Sequence, residues 1–195
     1  MCGIVDVTAQ ICVLTQQKTK GAGEPMKIAI NAGHTKSGAG SGAIGCINEG
    51  EQARAVAAAL IPLLKKKGHT VVNATVDKAA TQAAYLQQVV NIANKSKVDL
   101  FVSIHFNAGG GTGCESYTYK GQKVKQAENI NAQLNKLGFR NRGIKDGTSF
   151  YVVRETTMTA VLVEVCFVDN CKDVQLYKKV GASKIAQAIA DGIAA

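Results

Sequence analysis

Four side chains in this chain of 195 residues are of the types that bind metal ions or move protons. His34 follows the apolar run KIAIN, and His105 closes the apolar run LFVSI. Glu49 opens an alanine-rich helical pattern, and Glu164 lies within the run TAVLVEVCF. Two imidazoles and one carboxylate leave a tetrahedral zinc ion its open fourth position, and a further carboxylate can take a proton from metal-bound water. These four residues are therefore the set of side chains that a zinc hydrolase uses.

Each of these residues also has an ordinary structural explanation. A single histidine is more often a satisfied core residue than a ligand, and a glutamate in the first turn of a helix commonly complements the helix dipole. A carboxylate among Val, Leu and Phe is costly unless it is paired, hydrogen-bonded or near a metal. Glu164 is thus either a functional group or half of an ion pair, for which Arg154 is the candidate partner. No short motif such as H-E-x-x-H ties the residues together, so spacing alone leaves both explanations open.

The apolar runs that carry these residues alternate with helical patterns. Runs such as VDLFVSIHFNAGG predict buried strands, and strands covered on both faces belong to parallel sheets, whose ligands collect at the carboxyl ends. We therefore predict an α/β fold with a single twisted, mostly parallel sheet, helices on both faces, and the zinc site at the carboxyl ends of the strands. The predicted strands are KIAIN, HTVVNATV, LFVSIH, CESYTYKG, GTSFYVVRE and TAVLVEVCFVDN.

The first predicted helix begins after Asn48, a suitable N-cap, and ends before Gly68. Its apolar stripe includes Glu49, which we therefore expect to face the sheet. A second helix is predicted from Lys78. Further helices are predicted in QKVKQAENINAQLNKLG, DVQLYKKV and KIAQAIADGIAA. His69 opens its strand instead of closing it, so we expect it on the surface, at the edge opposite the other two histidines.

The composition limits the classes of protein to which this chain can belong. The chain is 46% apolar with two prolines, which is typical of a globular domain, and its apolar runs are too short to cross a bilayer. The net charge of +9 predicts a polyanionic partner. There is no Trp, and Phe and Tyr mostly fall inside apolar strands, which argues against single-stranded nucleic acid. Six cysteines without a C-x-x-C pair indicate reduced thiols instead of a zinc ribbon or a disulfide framework. We expect neither nucleic acid nor a membrane as a partner.

Four separated blocks carry the candidate residues: KIAINAGH, CINEGEQARAV, DLFVSIHFNA and SFYVVRETTMTAVLVEVCFVDN. In this order they resemble the zinc-dependent N-acetylmuramoyl-L-alanine amidases of bacterial autolysins and phage endolysins, from about Lys27 to the C-terminus. The resemblance implies that His34, Glu49 and His105 bind one Zn²⁺ per chain and that Glu164 is the catalytic carboxylate. It also implies a single α/β sheet flanked by helices, and hydrolysis of the amide bond between N-acetylmuramic acid and L-alanine of the peptidoglycan stem peptide.

The resemblance does not extend over the whole chain. Residues 1–25 match nothing in the family, so we predict an N-terminal appendage followed by a zinc amidase catalytic domain over residues 26–195. Within that domain, Asn107 and Arg154 are the candidates for substrate contacts. Arg154 comes shortly before the run that holds Glu164, where it would reach a substrate carboxylate or the developing oxyanion.

The first twenty residues and the net charge indicate where such an enzyme acts. The first twenty residues lack the basic and apolar regions of a secretion signal. We therefore expect synthesis in the cytoplasm and action on the cell wall after release by a holin or by lysis, with an endolysin favoured over a sporulation autolysin. As a hypothesis, the charge of +9 provides adhesion to anionic wall polymers.

Alternatives to this function remain open. Another zinc amide hydrolase, such as a carboxypeptidase, uses the same types of ligand. A non-catalytic basic domain that binds wall polymer or nucleic acid explains the charge without zinc. Cys166, two residues from Glu164, is an alternative nucleophile, although a buried cysteine is most often a packing residue.

Overall fold

A six-stranded sheet organises residues 24–195, the part of the chain that the computed structural model describes. Its strands are β1 (Lys27–Ala32), β2 (Thr70–Asn73), β3 (Leu100–Asn107), β4 (Cys114–Thr118), β5 (Asn141–Asp146) and β6 (Thr159–Phe167). They lie in the order β2-β1-β3-β6-β4-β5, and every neighbouring pair is parallel except β4 with β6. The predicted single, mostly parallel sheet is confirmed.

Helices cover both faces of the sheet. They are α1 (Glu49–Lys66), α2 (Gln82–Ser96), α3 (Lys125–Lys136), α4 (Tyr151–Arg154), α5 (Cys171–Val180) and α6 (Ala182–Ala194). Side chains of α1, α3, α5 and α6 form a first hydrophobic core on one face, and those of α2 and α4 form a second core on the other. Because successive strand residues point to opposite faces, β1, β3 and β6 supply side chains to both cores. The carboxyl ends of these three parallel strands meet at one edge.

Helix α1 brings the carboxylate of Glu49 to this edge. Asn48 caps the helix, because its Oδ1 accepts a hydrogen bond from the backbone N–H of Glu51 at 3.1 Å. Ala53 and Leu60 of the apolar stripe are fully buried against the sheet, and Glu49 in the same stripe is 5% exposed. The predicted inward orientation of Glu49 is confirmed.

The region 141–154 differs from the prediction. The segment GTSFYVVRE was expected to form a strand, but its apolar part forms the short helix α4, in which Val152 and Val153 pack into the second core. The strand is instead β5, whose polar sequence NRGIKD suits an edge strand with only partly buried side chains. A short apolar run fits a strand or a buried helical turn equally well, so periodicity cannot distinguish the two.

Helix α2 begins later than the sequence suggested. It starts at Gln82 instead of Lys78, because Thr81 is its N-cap and accepts a hydrogen bond from the N–H of Ala84 at 3.1 Å. The residues before Thr81 therefore belong to the loop, and the first turn of α2 lies above the edge where the strands end.

A β-bulge interrupts the pairing of β6 with β3. His105 pairs with Glu164, whereas Asn107 pairs with Phe167, so β6 contains one extra residue between these positions. Cys166 lies in this stretch and is fully buried in the first core. Burial raises the pKa of its thiol, so Cys166 has the environment of a packing residue and not of a nucleophile.

The sequence predicts that no segment crosses a membrane and that residues 1–25 form an appendage. No helix in residues 24–195 combines the length and the apolarity that crossing a membrane requires. The predicted appendage of residues 1–25 lies outside the described residues apart from Glu24 and Pro25, and it remains a prediction.

His69 was expected on the surface, but its side chain is buried. Its Nδ1 accepts a hydrogen bond from the backbone N–H of Met26 at 3.1 Å, because the turn after α1 packs against the start of β1. Burial, with a smaller effect of the charge on Lys67, lowers the pKa of His69. The other part of the expectation is correct, since His69 precedes β2 and lies at the amino end of the strands, opposite the other histidines.

We predict that His69→Asn makes the fold less sensitive to acid. Asn can still accept the hydrogen bond from Met26, but it does not titrate. The folded-state pKa of His69 lies below its ordinary value of 6.5. The contribution of His69 to the free energy of unfolding is therefore complete above pH 6.5 and is lost as the pH falls from 6.5 through the folded-state pKa. Urea unfolding at about pH 7 and about pH 5 is expected to show a larger loss of unfolding free energy in the wild type than in His69→Asn. Equal losses would contradict this explanation.

Candidate active site

Two histidines and one glutamate converge at the carboxyl ends of β1 and β3. Nε2 of His34 and Nδ1 of His105 each lie 3.0 Å from the same oxygen, Oε1 of Glu49. The three potential ligand atoms all lie within 4.8 Å of one another, and the imidazole rings meet edge to face with 4.8 Å between their centroids. The fold therefore brings together three residues that are far apart in the sequence.

Backbone and side chain together direct His34 toward this point. The residue lies two positions after the end of β1 and has a φ of 67°, in the left-handed region that residues other than glycine rarely adopt. Its Nδ1–H donates a hydrogen bond to the carbonyl oxygen of Gly40 at 3.0 Å. In the neutral imidazole Nε2 is then the nitrogen with a lone pair, so it is the atom that can bind a metal ion.

The carboxylate of Glu49 is fixed by backbone amides as well as by the imidazoles. The N–H of Ala43 donates to Oε2 at 2.9 Å, and the N–H of Phe106 donates to Oε1 at 3.1 Å. Burial on its own would raise the pKa of Glu49, but the hydrogen bonds and charges of His105 and His34 outweigh burial and hold the pKa well below its usual range. Glu49 is therefore ionised and can act as an anionic ligand.

Two glycines make this close packing possible. A Cβ atom at Gly33 would lie 2.4 Å from Cε1 of His105, and one at Gly42 would lie 2.8 Å from Oε2 of Glu49. Both distances are shorter than van der Waals contact. The glycines after β1 thus leave the space that the ligand side chains occupy.

The donor set fits a divalent metal ion such as zinc. Neutral imidazole nitrogens and a carboxylate oxygen are its usual ligands, and three of them leave one position open. Burial lowers the pKa of His105, which favours the neutral form. For His34, burial also lowers the pKa, but the contacts with Glu49 more than offset this and raise it. One carboxylate oxygen that faces two imidazole nitrogens at equal distance can share a cation with both of them.

Glu164 lies beside this group on the neighbouring strand. It pairs in register with His105, is 7% exposed, and its Oε2 is buried without a hydrogen-bond partner among residues 24–195. Burial, followed by the negative charges of Glu49 and Glu115, raises its pKa well above the usual value. A carboxyl group in this environment can hold a proton and release it again.

A cavity of about 410 Å³ opens in front of Glu164 and the candidate ligands, which is within the size range of small-molecule sites. Asn107 lines it two residues beyond His105. Its aromatic lining comes from α2, β3, β4 and the segment around α4, and consists of Tyr85, Phe106, Tyr117, Phe150 and Tyr151.

Arg154 does not form the ion pair with Glu164 that the sequence allowed. Its Nε lies 2.8 Å from Oε1 of Glu155, and its guanidinium donates to the carbonyl oxygen of Thr148 at 3.0 Å and lies over the ring of Tyr151. Because this segment is helical and not extended, Arg154 lies outside the cavity, in a separate surface depression.

Glu115 belongs to the site, although the sequence analysis did not single it out. It is 2% exposed and pairs in register with Glu164 across β4 and β6. Its Oε1 accepts hydrogen bonds from Nδ2 of Asn107 at 2.8 Å and from the hydroxyl of Tyr117 at 3.0 Å, and its Oε2 lies 2.8 Å from Nε of Arg142. The alternation in CESYTYKG placed Glu115 and Tyr117 on one strand face, which was the available signal.

Comparison with known proteins identifies the family of this chain. Residues 28–195 match the family described as N-acetylmuramoyl-L-alanine amidase, Amidase_3. The chain belongs to this family. Among curated relatives, the amidase CwlM of Bacillus licheniformis is 37% identical over 171 residues, which cover 86% of this chain and 65% of that protein. The chain spans about half to two thirds of the length of this amidase and of two further curated relatives from Clostridium perfringens.

Solved structures of amidase catalytic domains have the same fold. The catalytic domain of the CD27L endolysin, which targets Clostridia Difficile, superposes with a TM-score of 0.79 at 32% identity, covering 86% of this chain and 96% of that domain. The catalytic domain of the amidase CwlV from Bacillus (Paenibacillus) polymyxa var. colistinus gives a TM-score of 0.74 at 34% identity, covering 86% and 95%. The expected family and α/β fold are confirmed.

In this amidase-family chain, Gly33→Ala is expected to weaken binding of a divalent metal by about ten- to a hundredfold. The added Cβ would displace the imidazole of His105. Competition of Zn²⁺ between the protein and a chromophoric chelator measures the affinity. Gly50→Ala is the matched control, because its Cβ in α1 would approach no described atom closer than 3.4 Å. Equal affinities of the two variants would show that Gly33 does not determine the ligand geometry.

Proposed function

We propose that this chain is a zinc-dependent N-acetylmuramoyl-L-alanine amidase whose catalytic domain comprises residues 26–195. Its substrate is peptidoglycan, and the bond that it hydrolyses joins the lactyl group of N-acetylmuramic acid to L-alanine of the stem peptide. One observation carries the proposal: in a chain of the amidase family, His34, Glu49 and His105 converge on one point with Glu164 beside them.

The three converging residues are proposed to hold one Zn²⁺ per chain. When bound, the ion supplies Lewis-acid polarisation of the scissile carbonyl and of a water molecule. The protein contributes the geometry, since the carbonyl of Gly40 orients His34, and the backbone amides of Ala43 and Phe106 orient Glu49. These contacts keep the ligands in place before the substrate arrives.

Glu164 is proposed to act first as the general base and then as the general acid. Its buried Oε2 has no hydrogen-bond partner among the described residues, so in the ionised form this oxygen is available to accept a proton from the attacking water. The raised pKa allows Glu164 to keep that proton and pass it to the departing amine of L-alanine. Water attacks directly, so the reaction needs no covalent intermediate.

Asn107 and Arg154 are proposed to have different roles toward the substrate. Glu115 fixes Nδ2 of Asn107, while Oδ1 accepts a hydrogen bond from the N–H of Ala108 and has a second lone pair for a substrate amide. Arg154 holds the carbonyl of Thr148, next to the wall of the cavity, and thus supports the wall without direct contact.

The net charge of +9 is proposed to assist the enzyme at the cell wall. Peptidoglycan carries carboxylates and is accompanied by anionic polymers, which a basic protein attracts over distances of about the Debye length. We further propose that the enzyme reaches the wall after release by a holin or by lysis.

The decisive experiment compares Glu164→Gln with His105→Ala on purified peptidoglycan. Glu164→Gln is expected to keep stoichiometric zinc but to lose about 10²- to 10⁴-fold in turnover, because the general base is gone. His105→Ala is expected to lose the metal and the activity together. Zinc is measured by atomic emission, and turnover by the release of new amino groups, with and without a chelator.

Controls separate this proposal from its alternatives. Glu155→Gln alters an exposed carboxylate outside the cavity and should leave turnover unchanged. Free stem peptides identify an amidase, whereas shortened stem peptides would identify a carboxypeptidase. Wild-type protein that contains no zinc and releases no amines would support a non-catalytic binding domain instead.

A second pair of variants tests the substrate contacts. Asn107→Ala is expected to lower kcat/KM by about ten- to a hundredfold, because a hydrogen bond to the substrate amide is lost. Arg154→Ala is expected to stay within about threefold of the wild type, because Arg154 supports the wall indirectly. A larger effect in Arg154→Ala than in Asn107→Ala would reverse these assignments.

The proposed role of charge is tested by sedimentation with purified cell walls. At about 0.5 M salt the Debye length falls to about 4 Å, so the bound fraction should drop severalfold compared with about 0.05 M salt. If the bound fraction is unchanged, adhesion does not depend on charge.

A further inference from the structure

Two cysteines meet at the rim of the same sheet edge, outside the cavity. Cys46 lies in the segment between β1 and α1, and Cys171 is the first residue of α5, 125 positions later. Both are exposed, and their Sγ atoms are 3.2 Å apart. The other two described cysteines, Cys114 and Cys166, are buried in the first core.

The backbone, and not only the side-chain rotamers, keeps these cysteines close. The N–H of Cys46 donates to the carbonyl oxygen of Val168 at 2.8 Å, which ties this segment to the residues just before α5. Gly45 packs so tightly here that a Cβ atom would lie 2.4 Å from the same carbonyl oxygen. To form a disulfide of about 2.05 Å, the sulfurs need to approach by little more than about 1 Å, which is within reach of side-chain rotation.

We propose that Cys46 and Cys171 are a modification site. A small-molecule disulfide such as oxidised glutathione oxidises the two thiols, which form a reversible disulfide with each other. The thiolate of one cysteine attacks a sulfur of glutathione disulfide, which forms a mixed disulfide and releases one glutathione thiolate. The second cysteine then attacks the protein sulfur of the mixed disulfide, so that the protein disulfide forms and the second glutathione leaves. Two electrons pass from the protein thiols to glutathione, and the two thiol protons end on the released glutathione.

The disulfide would join the two segments that carry the catalytic residues. Cys46 precedes Glu49 by three residues, and Cys171 follows Glu164 by seven. In the thiol form only non-covalent contacts connect the two segments here, whereas the disulfide closes a long covalent loop and restricts the unfolded chain. Oxidation is therefore expected to stabilise the segment before α1.

The test uses the full chain after incubation with reduced or with oxidised glutathione. Peptide mapping of the oxidised sample is expected to yield a peptide pair linked through Cys46 and Cys171, with the mass of two hydrogen atoms lost. The melting temperature of the oxidised form should exceed that of the reduced form by about 5–10 °C. Amide hydrogen exchange in residues 41–47 should slow in the oxidised form only.

Cys46→Ser and Cys171→Ser are the matched controls, and neither should change its melting temperature on oxidation. A temperature shift that persists in both variants would overturn the proposal. So would a map in which the two cysteines carry separate glutathiones, or are linked to Cys2 or Cys12 instead of to each other. A linked pair without any change in melting temperature or exchange would refute the stabilising role. None of these measurements uses hydrolytic activity, so their outcome is independent of the proposed function.

Discussion

A single carboxylate oxygen, Oε1 of Glu49, is the point on which the site depends. It lies 3.0 Å from an imidazole nitrogen on each of two histidines and accepts the N–H of Phe106, so three chain segments meet at one atom. Burying a carboxylate is costly, and here the cost is offset by backbone amides, by the amino end of α1 and by the imidazoles. A divalent cation at this point would satisfy all three ligands together. The glycines after β1 are required because nothing larger fits between these groups.

Two further carboxylates lie beside this point, and their surroundings differ sharply. Glu115 and Glu164 pair across β4 and β6, at the only antiparallel contact of the described sheet. Glu115 has hydrogen-bond donors on both oxygens, whereas Oε2 of Glu164 has none among the described residues. The hydrogen bonds of Glu115 give it a structural role, because they hold Asn107, Tyr117 and Arg142 in place. The oxygen of Glu164 that lacks a partner within residues 24–195 is consistent with the proton transfer proposed for this residue.

Much of this arrangement could be predicted from the sequence, because the strongest signals are local. Apolar runs that end near His34 and His105 indicated strands, and the 3.6-residue stripe of α1 indicated that Glu49 points inward. Features that depend on tertiary contacts could not be predicted. His69 is buried because the turn after α1 folds back onto β1, and β5 is a strand because it pairs at an edge despite its polar sequence. The role of Glu115 depends on hydrogen-bond partners from β3 and β5, and no local sequence pattern could show these contacts.

The position of β6 has a consequence for biosynthesis. It is the last strand along the chain, yet it lies in the interior of the sheet, between β3 and β4. Until the ribosome has released this segment, β3 and β4 have no common neighbour, and the half of the sheet that holds β4 and β5 cannot join the rest. Such non-local pairing is slow compared with helix formation. A nascent chain that already contains His34, Glu49 and His105 therefore still lacks Glu164, and the candidate site is complete only after β6 has joined the sheet.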